Sequence, residues 1–181
     1  MATIFTTALM GLFVLSNVSA SAALAEAPVP ERTFSVAMTA YNAVPEQTDD
    51  DPFTTASGAY SNPEVVAARS RDLAEDLPFG TVIEIVAATS THGCGLHVVL
   101  NEVGLRVIAD TMHQRMQQKI DILLHERKTA RVFGICDKVE IRVVGQIDIK
   151  DMPKTQAELK AKFAKVEKAT PQPLAIKTFS F

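Results

Sequence analysis

Asp110 and Asp121 are two carboxylates separated by ten residues, each set beside a short apolar run, Leu105 to Ala109 and Ile120 to Leu124. An unpaired charge next to buried apolar chain is costly, so both positions call for a reason. Paired acids supply one, because a carboxyl that gives and takes protons is general acid/base equipment. Other chemistries find less support. His92, Cys94 and His97 are ligand types close together, but lone Cys136 and the scattered His113 and His125 give no second cluster of the paired spacing zinc requires, so no metal is expected. The Asp49-Asp50-Asp51 triplet lacks the alternating ligands and turn glycine of a calcium loop and reads as a solvated loop. No glycine-rich phosphate loop, nucleophile elbow or Cys-His nucleophile motif is present, and no cofactor is expected.

The elements that must position these acids read mainly as strands. Thr33 to Tyr41 alternates Phe34, Val36 and Met38 against small and polar residues, and Val82 to Val86 and Val139 to Val144 are rich in β-branched residues. Glu64 to Arg69 reads as short and extended. Leu77-Pro78-Phe79-Gly80-Thr81 forms a turn, preceded by a brief helical or irregular passage opened by Asp72. Leu96 to Leu100 and Leu105 to Ala109 suggest a hairpin around Asn101 to Gly104. The segment Asp110 to Lys119 supports two readings. Met112, Met116 and Ile120 recur at helical spacing with Asp110 as an N-cap, which would make that acid structural. Alternatively a strand ends at Asp110, a polar loop follows, and a new strand begins at Ile120; the β-rich surroundings favour this second reading. A short helix is expected over Glu126 to Phe133, stopped by Gly134. A terminal one carries a capping box at Thr155 and Glu158 and an apolar stripe of Leu159, Phe163 and Val166.

The chain has 181 residues, 47% of them hydrophobic, which suffices for one domain with a sizeable core. A formal net charge of −3 offers no basic footprint for nucleic acid. Residues 1–25 contain no charged side chain and include the apolar run Ala8 to Leu15 before a small-residue end, so they read as a secretory signal peptide, with a membrane association only if it stays uncleaved. A linker (26–32), a β domain (33–149) and a C-terminal helical extension (150–181) follow. An exported domain suits a disulfide between Cys94 and Cys136, worth about 3 to 4 kcal/mol on the chain-entropy model, and two separate buried thiols are the other reading.

In order, Thr39-Ala40-Tyr41, Thr55-Ala56-Ser57-Gly58, Leu77-Pro78-Phe79-Gly80-Thr81, Ala109-Asp110-Thr111, Ile120-Asp121-Ile122 and Ala130 to Gly134 before a final Val/Ile strand resemble the 3D domain, named for three aspartates. That domain is similar to the catalytic barrel of the membrane-bound lytic transglycosylase A family, and the resemblance covers about Val36 to Val144. It implies a six-stranded double-psi β-barrel in the periplasm or cell envelope, with peptidoglycan glycan strands as its partner. It also implies that Asp121 is the catalytic acid, with Asp110 beside it in the same groove, and that Asp72 is the first of the three aspartates. Thr39, Tyr41, Thr55 and Ser57 become sugar-binding hydroxyls, and Gly58 a point of close backbone approach. The family commonly has glycines after its Asp-Thr where this chain has Met112-His113, so the turn there differs.

The implied reaction is cleavage of the β-1,4 bond between N-acetylmuramic acid and N-acetylglucosamine, ending in a 1,6-anhydro sugar. One acid protonates the glycosidic oxygen and, as conjugate base, takes the proton of the sugar's own C6 hydroxyl. Such an acid must be neutral near pH 7, whereas a free aspartate titrates at about 4. Ile120 and Ile122, by burial, and a nearby Asp110, by like charge, are expected to push Asp121 upward. A non-catalytic wall-binding or structural envelope domain is the alternative.

Overall fold

A computed structural model describes residues 32–45, 51–88, 94–96, 103–125 and 127–167. The expected leader, the linker up to residue 31, Asp49 and Asp50, and His92 and His97 lie outside the described residues. Six strands are present: β1 (Thr33–Tyr41), β2 (Val66–Arg69), β3 (Thr81–Ala88), β4 (Arg106–Thr111), β5 (Lys119–Leu123) and β6 (Cys136–Gln146). Among the fully described segments, two helices accompany them, α1 (Arg127–Phe133) and α2 (Gln156–Glu167), with 3-10 turns at Arg71–Leu73 and Ile149–Asp151.

The strands close into a barrel in the order β1-β5-β2-β4-β3-β6. Closure leaves no sheet edge unpaired. β1 pairs with β5 and β2 with β4 in parallel, whereas the other four neighbouring pairs are antiparallel. Successive residues of each strand serve different cores, as a two-residue period demands. Ala67, Ile83, Ile108, Ile120, Ile122 and Ile141 join one apolar cluster with Phe133 of α1. Val66, Ala68, Val82, Val107, Ala109 and Leu123 join a second with Leu159 of α2. β2 is buried throughout and β4 and β5 mostly so, which explains their near-continuous apolar runs, whereas β3 ends exposed and β6 alternates.

Gly80 makes the turn into β3 possible. Its φ is +88°, and a Cβ there would lie 2.1 Å from the carbonyl oxygen of Ile147, so both conformation and space demand glycine. Arg106 is fully buried on β4, where its guanidinium donates to the carbonyls of Val103, Pro63 and Leu123 at 2.6, 2.5 and 3.1 Å. Cys94 and Cys136 form a disulfide that fastens the segment ahead of Leu96 to the start of β6.

Of the two readings of Asp110 to Lys119 the favoured one holds: β4 runs to Thr111, a turn follows, and β5 begins at Lys119, so there is no helix and Asp110 caps nothing. The helical spacing of Met112 and Met116 reflects their separate packing against the second cluster. One expectation needs correction: the hairpin around Asn101 to Gly104 fails where it is described. Leu96 and Val103 are helical, and β4 pairs with β2 and β3; residues 97–102 lie outside the described residues. Met112 and His113 take no left-handed backbone; among the described non-glycine residues that conformation falls to Gln118, with φ 48°.

Thr155 caps α2 as expected, its hydroxyl accepting from the Glu158 N–H at 3.2 Å. The return bond is displaced by one residue, since the Glu158 carboxylate accepts from the Lys154 N–H at 2.7 Å. Leu159 is buried, and the Phe163 ring lies against Gly145 of β6. Gln156 fastens the helix start to the barrel. Its amide nitrogen donates to the Glu64 and Leu105 carbonyls at 2.5 and 2.7 Å, and its oxygen accepts from the Leu105 N–H at 3.1 Å.

Candidate functional site

The parallel pairing of β1 with β5 places Thr39 in register with Asp121. The Thr39 hydroxyl donates to Asp121 Oδ1 at 2.9 Å. Two residues further along the same face of β1, the Tyr41 hydroxyl donates to Asp110 Oδ2 at 3.0 Å. One strand thus supplies a hydroxyl to each acid.

Between the acids lies Ala68 on β2. It is in register with Asp121 of β5 on one side and with Asp110 of β4 on the other. Two strand spacings put the acids' Cα atoms about 10 Å apart. The arrangement depends on an irregularity in β4: Ala67 aligns with Ile108 but Ala68 with Asp110, leaving Ala109 as an extra residue. Without it Asp110 would keep the facing of Ile108, which packs in the other cluster. The bulge turns Asp110 toward Tyr41.

Asp110 is saturated with donors. Besides Tyr41, the backbone N–H groups of Ala56 and Thr111 donate to its Oδ1 at 2.9 and 2.8 Å. The Ala56 contact ties down a loop, closed at its base by pairing of Thr54 with Tyr60. Within it Thr55 is buried and its hydroxyl lies 3.0 Å from both the Ser57 hydroxyl and the Ala59 carbonyl, while the Ser57 N–H donates to the Ala109 carbonyl at 3.1 Å. Gly58 has φ +82° and open space where a Cβ would go, so it is required by the turn and no close approach demands it.

Asp121 is half-buried and differs in environment. Burial pushes its carboxyl up to about 6; the Thr39 hydrogen bond and the charge of Lys119 oppose the rise, and the charge of Asp110 adds to it. The Tyr41 phenol is raised well above its ordinary value, first by burial and then by the charge and hydrogen bond of Asp110, so it remains a neutral donor. Two acids of one type are thereby differentiated. Asp110 is held by fixed donors, and Asp121 sits where a proton can be gained or lost close to neutrality.

Thr39 with Asp121, and Tyr41 with Asp110 and the loop of Thr55 and Ser57, thus form two hydrogen-bonded groups on either side of Ala68, with Gly58 on the loop. Asp72 sits apart at the end of β2. It accepts from the backbone and side-chain nitrogens of Gln118 at 2.9 and 3.0 Å, which steadies the left-handed residue leading into β5. Its slight burial acts upward, but hydrogen bonds from Ser70 and Gln118 outweigh this and hold the carboxyl below its ordinary range. Arg115 is exposed, and its Nε donates to His113 Nδ1 at 3.3 Å. Sequence reasoning missed Ala68, Lys119 and the Ala56 N–H. The Ala67-Ala68 pair in a buried strand was the available sign of space; a backbone donor leaves none.

Two surface concavities are formed elsewhere, one lined by Glu84, Val103, Leu105 and Lys160, the other by Phe34, Ser35, Ala87 and Lys138. Among the described residues no group of three or more His, Cys, Asp or Glu side chains is disposed to hold a metal ion. No protein-family model and no curated protein matches this chain.

Proposed function

We infer that this chain is an exported, peptidoglycan-active protein whose barrel is of the double-psi type, and that it acts as a lytic transglycosylase through Asp121. The observation that carries this reading is the Asp121 carboxyl, lifted to about 6 on a strand face beside the Thr39 hydroxyl and next to a second, anchored acid. With that value a useful fraction is protonated just below neutrality, as a general acid needs, and the conjugate base is strong enough to take a hydroxyl proton. The cycle is closed. The Asp121 proton goes to the glycosidic oxygen as the C1–O bond breaks, the C6 hydroxyl oxygen bonds to C1, and its proton returns to Asp121. Water takes no part, so Asp110 need not activate it; its three donors suit it to holding the 54–60 loop beside the acid.

The test is incubation of purified protein with peptidoglycan and mass spectrometry of the soluble products. Anhydromuramyl fragments from the parent, absent with Asp121→Asn, are expected. Fragments ending in reducing sugars would replace the mechanism by hydrolysis, and none at all would end the catalytic reading. A second reading is a wall-binding module without turnover, which would use the hydroxyls of the 54–60 loop and need no proton from Asp121. Retention of the protein on insoluble peptidoglycan without release of fragments would establish it.

A further inference from the structure

The loop that holds Asp110 carries two large side chains with no role in packing. Phe53 is 60% and Tyr60 67% exposed, whereas Pro52, Thr55, Ala59 and Ser61 around them are buried. These rings are not on a loose tip. The Ser61 N–H donates to the Phe53 carbonyl at 2.9 Å, Thr54 pairs with Tyr60, the Gly58 N–H donates to the Thr55 carbonyl at 2.8 Å, and Ala56 is bonded to Asp110. The result is a short, pinned ribbon with a ring on each of two successive rungs.

Its composition limits what it can receive. From Pro52 to Pro63 there is no charged residue, and Thr54, Ser57 and Tyr60 carry hydroxyls at exposed or half-buried positions, those of Thr55 and Ser61 being buried. A nucleic acid or an anionic lipid surface would require cations there. A protein partner of ordinary kind would need a continuous apolar core, and here the rings are interleaved with threonine and serine. A pyranose matches both features: axial C–H groups on its face pack on an aromatic ring, and its hydroxyl and acetamido edge takes hydrogen bonds.

We propose that the 53–60 ribbon is a sugar subsite, one of its two exposed rings, which strand alternation turns to opposite faces, stacking on an N-acetylhexosamine neighbouring the one placed at Asp121. The proposal rests on the glycan reading above but not on turnover, since stacking needs no proton transfer. Occupation of the ribbon would hold a strand across the loop fastened by Asp110, so that affinity gained on one sugar positions the bond next to it.

The test uses the full chain carrying Asp121→Asn, titrated calorimetrically with tetra-N-acetylchitotetraose and with soluble glycan strands, alone and with Phe53→Ala, Tyr60→Ala or Tyr60→Phe added. The chain has two tyrosines and no tryptophan, and Tyr41 is buried against a carboxylate, so tyrosine emission reports chiefly on Tyr60. Saturable binding with a change in that emission is expected. At least one alanine variant should weaken binding about tenfold or more, which identifies the ring in contact, and Tyr60→Phe should bind as the parent while losing the emission change. Because both rings are exposed, thermal melts should be unaltered. Parent-like affinity in both alanine variants would overturn the subsite and leave the cleavage reading intact. Ring-dependent binding without anhydro products would retain the subsite and remove cleavage. No glycan binding by the parent would end both.

Discussion

Asp110 and Asp121 are register neighbours of the same residue, Ala68, one on each side of β2. The two acids are therefore held at a fixed separation by main-chain pairing, with only a methyl group between them. Ala68 is 3% exposed, so a larger side chain has nowhere else to go. Ala68→Leu is expected to destabilise the fold by about 1 to 3 kcal/mol through overpacking and, under the proposed function, to abolish glycan cleavage even in protein that remains folded. Denaturant melts and product analysis measure the two effects separately.

Asp121 makes stability depend on pH in a definite direction. Its carboxyl binds a proton more tightly folded, at about 6, than it does near its ordinary value of 3.8, so the folded state holds more protons between those limits. Stability from this group is complete below about 4 and is lost as pH rises through about 6. Asp121→Asn removes the penalty and keeps an acceptor for Thr39. It should raise stability by on the order of 2 to 3 kcal/mol at pH 8 and change it little at pH 4, as read from melts at the two values.

The same titration governs turnover if Asp121 is the acid. The rate is expected to fall as pH rises above about 6. Thr39→Val removes a hydrogen bond that lowers the carboxyl's pKa, so the alkaline limb should move to higher pH. An unmoved limb would show that another group controls it.

Asp110→Ala removes the acceptor of all three donors at once. A loss of about 1 to 3 kcal/mol is expected, together with faster amide exchange at Ala56 and Thr111. Unchanged exchange at Ala56 would show that the loop is held by its other bonds.

Replacing Cys94 and Cys136 by serine should cost about 3 to 4 kcal/mol, the bridge having a sequence separation of 42. Gly80→Ala should be more damaging than a surface change, by more than about 2 kcal/mol, because alanine meets the Ile147 carbonyl and an unfavourable φ together. Chemical denaturation measures both.

Much of the barrel could be read from residue types. The strands around Thr33 to Tyr41, Val82 to Val86 and Val139 to Val144 followed from β-branched and alternating residues, and the Pro78-Gly80 turn from its chemistry. The facing of Asp110 could not, because it depends on Ala109 being inserted as a bulge, and nothing distinguishes Ala109 in sequence from an ordinary strand alanine. The same applies to Asp72. Its carboxylate type was visible, but its attachment to Gln118 depends on a left-handed glutamine that composition disfavours. The helical spacing through Met112 and Met116 was rightly outweighed by the β-rich surroundings, because two separate side chains can fill one cluster without sharing a helix.

Gln156 has a consequence for how this polypeptide can be divided. Its carboxamide imitates a peptide unit, offering Leu105 both a donor and an acceptor immediately ahead of β4, and also reaching Glu64 just before β2. β2, which carries Ala68, and β4, which carries Asp110, are thus stapled at their upstream ends by a residue far along the chain. A fragment stopping at Ile149 would retain the six described strands with Asp110 and Asp121, yet its β2 and β4 would fray from those ends and blur the spacing between the two carboxylates.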